Sequence, residues 1–84
     1  MNIYKIKFRK IKNRRSDRVL KNLFITNQVK KFCKENRIKI CKESLRCFFN
    51  TYYIIKCSKD KYYEFYKYMM CNQKKLGIKV LSDF

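Results

Sequence analysis

Hydrophobic and polar positions change period along this chain, and the changes mark its elements. Ile3-Tyr4-Lys5-Ile6-Lys7-Phe8-Arg9 alternates with period two. Residues 3–11 therefore predict a strand with Tyr4, Ile6 and Phe8 on one face and Lys5, Lys7 and Arg9 on the other. A basic loop follows, Lys12-Asn13-Arg14-Arg15-Ser16-Asp17-Arg18. Over residues 21–35 the spacing becomes helical, with Ile25, Val29, Phe32 and Cys33 at i, i+4, i+7 and i+8. Leu20, Leu23 and Phe24 lie off that stripe. Either the helix starts near Thr26, with Thr26 as its N-cap, or these residues contact a neighbour.

Arg37-Ile38-Lys39-Ile40-Cys41 alternates again and predicts a short second strand. Cys47 to Cys57 is dense in β-branched and aromatic residues and predicts a third, with Lys42-Glu43-Ser44 as the turn-like stretch of a hairpin. Ser58 is placed to cap a second helix, and Asp60 falls in its first turn, where the helix dipole favours an acid. Tyr62, Phe65, Tyr66 and Met69 form its buried stripe. Gly77 is the only glycine and stands where a helix would end in a left-handed residue. Ile78-Lys79-Val80-Leu81 predicts the last strand. The order is β-α-β-β-α-β in a single domain over residues 1–84. Two such halves with right-handed crossovers give an α+β, ferredoxin-like fold: a four-stranded antiparallel sheet with both helices on one face.

Charge changes the picture next. The chain has 84 residues, with 23 Lys and Arg against six Asp and Glu, for a net charge of +17. Self-repulsion on that scale opposes compaction, and a polyanion that binds relieves it while releasing its own counterions. Nucleic acid is the first candidate and an anionic membrane surface the second. At 46% hydrophobic and 17% aromatic, the chain is too apolar for a disordered basic tail. Ala, Pro, Trp and His are absent, and Lys, Ile, Asn, Phe and Tyr dominate, a bias toward AT-rich codons of the kind organellar genomes show. That bias accounts for part of the lysine excess but not for the shortage of balancing acids.

Composition also narrows the chemistry. With no His, no nucleophile motif and carboxylates scattered along the chain, the expectation is that this is not an enzyme and takes no small-molecule substrate. The best carboxylate pair, Asp60 and Glu64, stands at i, i+4 on a helix surface. Five cysteines at 33, 41, 47, 57 and 71 contain no CxxC pair, so they predict thiols of a reducing compartment, with no metal and no cofactor. No apolar run reaches the roughly 18 residues of a membrane span. The longest, Cys47 to Ile55, is interrupted by Asn50. The basic N-terminus alternates as a strand and is read as part of the domain, not as a targeting helix.

Two patches carry the functional expectation. The first is the polar face of strand one with its loop: Lys5, Lys7, Arg9, Lys10, Lys12, Arg14, Arg15 and Arg18. Side chains at i, i+2 and i+4 there project as a row of cations suited to phosphates, and arginine forks grip phosphate oxygens. Arg37, Lys39, Arg46 and Lys79 are expected to assist. The second patch is aromatic: Phe48, Phe49, Tyr52, Tyr53, Tyr62, Tyr63, Tyr66 and Tyr68. It reads either as a stacking platform for splayed bases or as core and protein interface, and the helical spacing of Tyr62, Phe65, Tyr66 and Met69 favours core. Tyr63, Met70, Leu23 and Phe24 exceed what one small core needs and point to protein neighbours.

Three segments carry a family resemblance. Tyr4-Lys5-Ile6-Lys7-Phe8 looks like the opening strand of small-subunit ribosomal protein ten. Residues 29–40, Val29-Lys30-Lys31-Phe32-Cys33-Lys34-Glu35-Asn36-Arg37-Ile38-Lys39-Ile40, look like its first helix running into strand two. Tyr53-Ile54-Ile55-Lys56, then a helix and Leu76-Gly77-Ile78-Lys79-Val80, resemble its C-terminal part. The form resembled is the divergent one of mitochondrial ribosomes. The long proline-bearing hairpin of that family has no counterpart, since residues 41–50 are short and lack proline. Small-subunit ribosomal protein six, with a similar Tyr-x-Ile-x-Phe opening, is the second resemblance. The first implies a structural constituent of an organellar ribosome in the mitochondrial matrix, in the head of the small subunit, with rRNA and neighbouring ribosomal proteins as partners. The alternative from another class is a small basic accessory subunit of an organellar membrane complex.

Overall fold

The computed structural model describes residues 2–11, 18–45 and 51–82. The elements are β1 (Asn2–Lys10), α1 (Arg18–Glu35), β2 (Lys39–Ser44), β3 (Thr51–Cys57), α2 (Lys59–Cys71), α3 (Gln73–Leu76) and β4 (Ile78–Val80). The strands form one antiparallel sheet in the order β2-β3-β1-β4. In each βαβ half the two strands are thus separated by a strand of the other half, which is the ferredoxin-like arrangement expected from the sequence.

Alternation along the two central strands decides the core. Tyr4, Ile6 and Phe8 of β1 face the helices with Thr51, Tyr53, Ile55 and Cys57 of β3. Against them pack Ile25, Val29 and Cys33 of α1 and Tyr62, Phe65 and Met69 of α2, so both helices cover the same sheet face. Aromatic rings run through this core. Phe8 lies 5.8 Å from Tyr53, Tyr53 meets Phe65 edge-on, Phe32 stacks on Tyr68 at 4.2 Å, and Tyr4 stacks on Tyr62 at 4.2 Å. Such contacts add about 0.5–1.5 kcal/mol each beyond the area they bury. Burial pushes the Cys33 thiol up to about 12 and holds the Tyr53 phenol well above its ordinary value, with Glu43 nearby adding to the latter.

Several local expectations are met. Ser58 caps α2, its hydroxyl accepting from Lys61 N–H, with Asp60 in the first turn. Gly77 ends α3 in the left-handed conformation at φ 66°. Others are corrected. Helix α1 starts at Arg18, so Thr26 is not an N-cap. It lies mid-helix, where its hydroxyl donates to Glu43 Oε1 at 3.0 Å and ties α1 to β2. Arg37 is not in a strand. It takes a left-handed φ of 56° in the turn after α1, where the Ile38 N–H returns to the Cys33 carbonyl. Lys42-Glu43-Ser44 is not a turn but the second half of β2, paired with Ile54, Tyr53 and Tyr52. A β-bulge between Ile40 and Lys42 lets the strand continue. The first part of the third strand as expected from the sequence, residues 47–50, lies outside the described residues.

Gly77 also joins α3 to the sheet: its carbonyl accepts from the Ile11 N–H at 2.8 Å. A Cβ there would come within 2.9 Å of the end of Lys21, whose ammonium donates to the Ile11 carbonyl. The cost of a side chain is then the left-handed backbone together with a shift of that exposed hydrogen bond. Gly77→Ala should lower stability by about 1–2 kcal/mol in urea unfolding, and Gly77→Asn by less.

Candidate nucleic-acid interface

The sheet face turned away from the helices is built in rows by the strand register. Lys39, Lys56 and Ile3 form one row across β2, β3 and β1. Lys42, Ile54 and Lys5 form the next, then Ser44, Tyr52 and Lys7. Arg9 and Lys79 close the face across β1 and β4. The apolar centre of this surface is therefore Tyr52 with Ile54, both half-buried along β3, and cations surround it on both neighbouring strands.

Two cations lean over the central ring. Lys5 Nζ is 4.3 Å and Lys42 Nζ 5.7 Å from the Tyr52 centroid. Exposed cation–π contacts contribute about 0.5–1 kcal/mol and hold the ammonium groups over the face. No carboxylate stands on this face among the described residues. Glu43 turns toward the helix side and Thr26, while Glu35, Asp60 and Glu64 are on helices. Two rows instead set like charges directly opposite each other, Lys39 against Lys56 and Arg9 against Lys79. An antiparallel sheet gains from opposite charges at such positions and loses from like ones.

Five expected residues, Lys5, Lys7, Arg9, Lys39 and Lys79, are brought together here. Lys10 is not: it is 5% exposed and points to the helix side with Ile6 and Phe8. Its Nζ donates to Asn22 Oδ1 at 2.9 Å and to the Leu45 carbonyl, joining β1 to α1 and to the end of β2. Arg37 sits in the turn after α1, off the strand rows. Lys12, Arg14, Arg15 and Arg46 lie outside the described residues, as does the side chain of Arg18. Lys42 and Lys56 were not anticipated, and Tyr52 was expected only as one member of the aromatic patch. Lys56 was legible, since it continues the Tyr52, Ile54 alternation. Lys42 was hidden, because the bulge reverses which face the residues after Cys41 present.

The aromatic patch divides. Tyr53 and Tyr62 are core and Tyr66 and Tyr68 pack against it, Tyr63 is exposed on α2, and Phe48 and Phe49 lie outside the described residues. On the helix side an open groove of about 350 Å³ is lined by Phe32, Asn36, Glu64, Lys67, Tyr68 and Cys71. No helix among the described residues is long and apolar enough to cross a membrane. Comparison with protein-family models, curated proteins and solved structures gives no match.

The two classes of lysine should respond oppositely to neutralisation. Lys56→Gln removes the charge opposite Lys39 and should raise stability by about 0.2–1 kcal/mol at low salt, an effect that shrinks as salt is added. Lys10→Gln shortens the side chain and weakens its hydrogen bonds to Asn22 and the Leu45 carbonyl, and should lower stability by about 1–3 kcal/mol at any salt. Urea unfolding at two ionic strengths separates the two.

Proposed function

We propose that this chain is a structural, non-catalytic RNA-binding protein of an organellar ribosome, holding small-subunit rRNA against the open face of its sheet. The observation that carries the proposal is the pairing of like charges across that face, with no acid between them among the described residues. A folded protein gains nothing from Lys39 opposite Lys56 or Arg9 opposite Lys79 unless a polyanion completes the arrangement. RNA phosphates do so, and the release of condensed counterions drives the association.

The ribosomal setting rests on composition and resemblance. The AT-biased residue usage fits an organellar gene, and the strand and helix segments resemble small-subunit ribosomal protein ten, with protein six as the second family. Leu23 and Phe24 on α1 and Tyr63 and Met70 on α2 are each 40% exposed or more, surfaces that suit neighbouring ribosomal proteins. A mitochondrial matrix location follows from this reading.

Neutralising the face should act through salt. Lys7→Gln and Lys39→Gln should each weaken RNA binding by a similar factor across RNA sequences. Each should flatten the plot of log affinity against log salt by roughly 0.7–0.9 for every phosphate that is no longer neutralised. In the source cells the protein should sediment with a small ribosomal subunit and be dispersed by RNase. Migration with a membrane complex, indifferent to RNase, would overturn the ribosomal reading in favour of an accessory subunit there.

A further inference from the structure

The open face contains more than charge. A surface that only tracks phosphates needs cations, yet its centre is a tyrosine ring with an isoleucine two residues along the same strand. Strand alternation sends Tyr53 into the core and Tyr52 outward, and Tyr52 lies on β3, one of the two central strands. On the β1 side the Tyr52–Ile54 strip is flanked by Lys5 and Lys7, on the β2 side by Lys42 and Ser44. The layout is an apolar strip with a cationic border on each side.

From this layout we infer that the face takes single-stranded RNA, with a base stacked on Tyr52, Ile54 supporting the neighbouring base, and phosphates running along the bordering lysines. The inference deepens the RNA-binding reading above and rests on it. The physical reason for single strands is access. In a duplex the base faces are stacked on one another and the outside offers phosphates, sugars and groove edges, none of which needs a ring at the centre of the contact. In a single strand each base has a free π face, and aromatic rings in basic grooves are the sequence-tolerant way to hold it. The two ammonium groups already over the ring fit this use. They leave the ring as the base arrives and meet the phosphates on either side, so the cation–π contacts keep the cations in place before binding.

Charge complementarity supports RNA as the occupant. An acidic protein surface would satisfy the border but not the strip, and an apolar protein surface would satisfy the strip but strand the border. Substitution of Tyr52 should be tolerated by the fold, since its side chain is on the open face and the core is on the other.

The test uses the full chain, an RNA of about eight nucleotides (within the usual range of site sizes), the same RNA with its bases removed, and a short RNA duplex. Binding of each is measured for the wild type, Tyr52→Leu, Tyr52→Phe and Lys7→Gln, with circular dichroism confirming that each variant is folded. Tyr52→Leu should weaken binding of the single strand by roughly 10- to 100-fold and leave the duplex and the abasic strand within about twofold. Tyr52→Phe should bind like the wild type, because the ring is kept; should the leucine variant fail to fold, the wild type decides, since stacking requires it to bind the intact single strand more tightly than the same RNA without bases. Lys7→Gln should weaken all three RNAs and flatten the salt slope. Equal weakening of single strand and duplex by Tyr52→Leu, or no weakening at all, would overturn stacking while leaving phosphate binding intact. A wild type that binds none of the three RNAs would overturn the RNA-binding reading itself.

Discussion

The pairing of β1 with β3 sorts the side chains at the centre of the sheet onto two faces, and the rest of the molecule depends on that sorting. Seven residues of each strand are in register, from Asn2 opposite Cys57 to Phe8 opposite Thr51. With side chains alternating at every residue, this register sends Tyr4, Ile6, Phe8, Tyr53 and Ile55 to one side and Lys5, Lys7, Arg9, Tyr52 and Lys56 to the other. A slip of one residue would exchange the two sets and place cations in the core. The same pleat thus makes the hydrophobic face that the helices need and the cationic face that a polyanion needs. Neither surface can be altered in register without losing both.

The two faces pull in opposite energetic directions. Aromatic packing on the helix side favours the compact state, and like-charge rows on the open side oppose it. Small domains bury a limited fraction of their surface, so the opposition is not negligible. The fold moderates it in two ways. Lysines lean over the Tyr52 ring, and Lys10 is withdrawn into a hydrogen-bonded position among Asn22 and Leu45. Among the described residues, no acid on the open face offsets the charge that remains there. Under the proposed RNA binding, stability and association are coupled, since each phosphate that meets a lysine also removes a repulsion within the sheet.

Much of this was legible because the strands obey period two so closely. The alternation of Ile3 to Arg9, the cap at Ser58, the stripe Tyr62-Phe65-Met69 and the single glycine at 77 each have a local cause that reads directly from residue type. The failures also have local causes. Lys10 follows Tyr4, Ile6 and Phe8 in the same period, and grouping it with the surface cations gave its charge more weight than its position. Arg37 adopts a glycine-like conformation because the end of α1 requires one, and nothing in Asn36-Arg37-Ile38 announces it. Thr26 resembles a cap by type, yet its hydroxyl serves a tertiary contact 17 residues away. The bulge at Cys41 has no sequence mark, so Lys42 joined the face only once the pairing with Ile54 was known. Charge alone suggested a partner class, whereas the surface proposed for contact came into view only with the sheet.

The open sheet face, and not the helix side with its larger number of lysines, is the surface proposed to meet the RNA. Lysine footprinting by acylation and mass spectrometry, with and without bound RNA, decides between the two sides. RNA should protect Lys5, Lys7, Lys39, Lys42, Lys56 and Lys79 while Lys30, Lys31, Lys34, Lys74 and Lys75 on the helices remain reactive. Protection of the helix lysines, with the sheet lysines still reactive, would contradict the proposal.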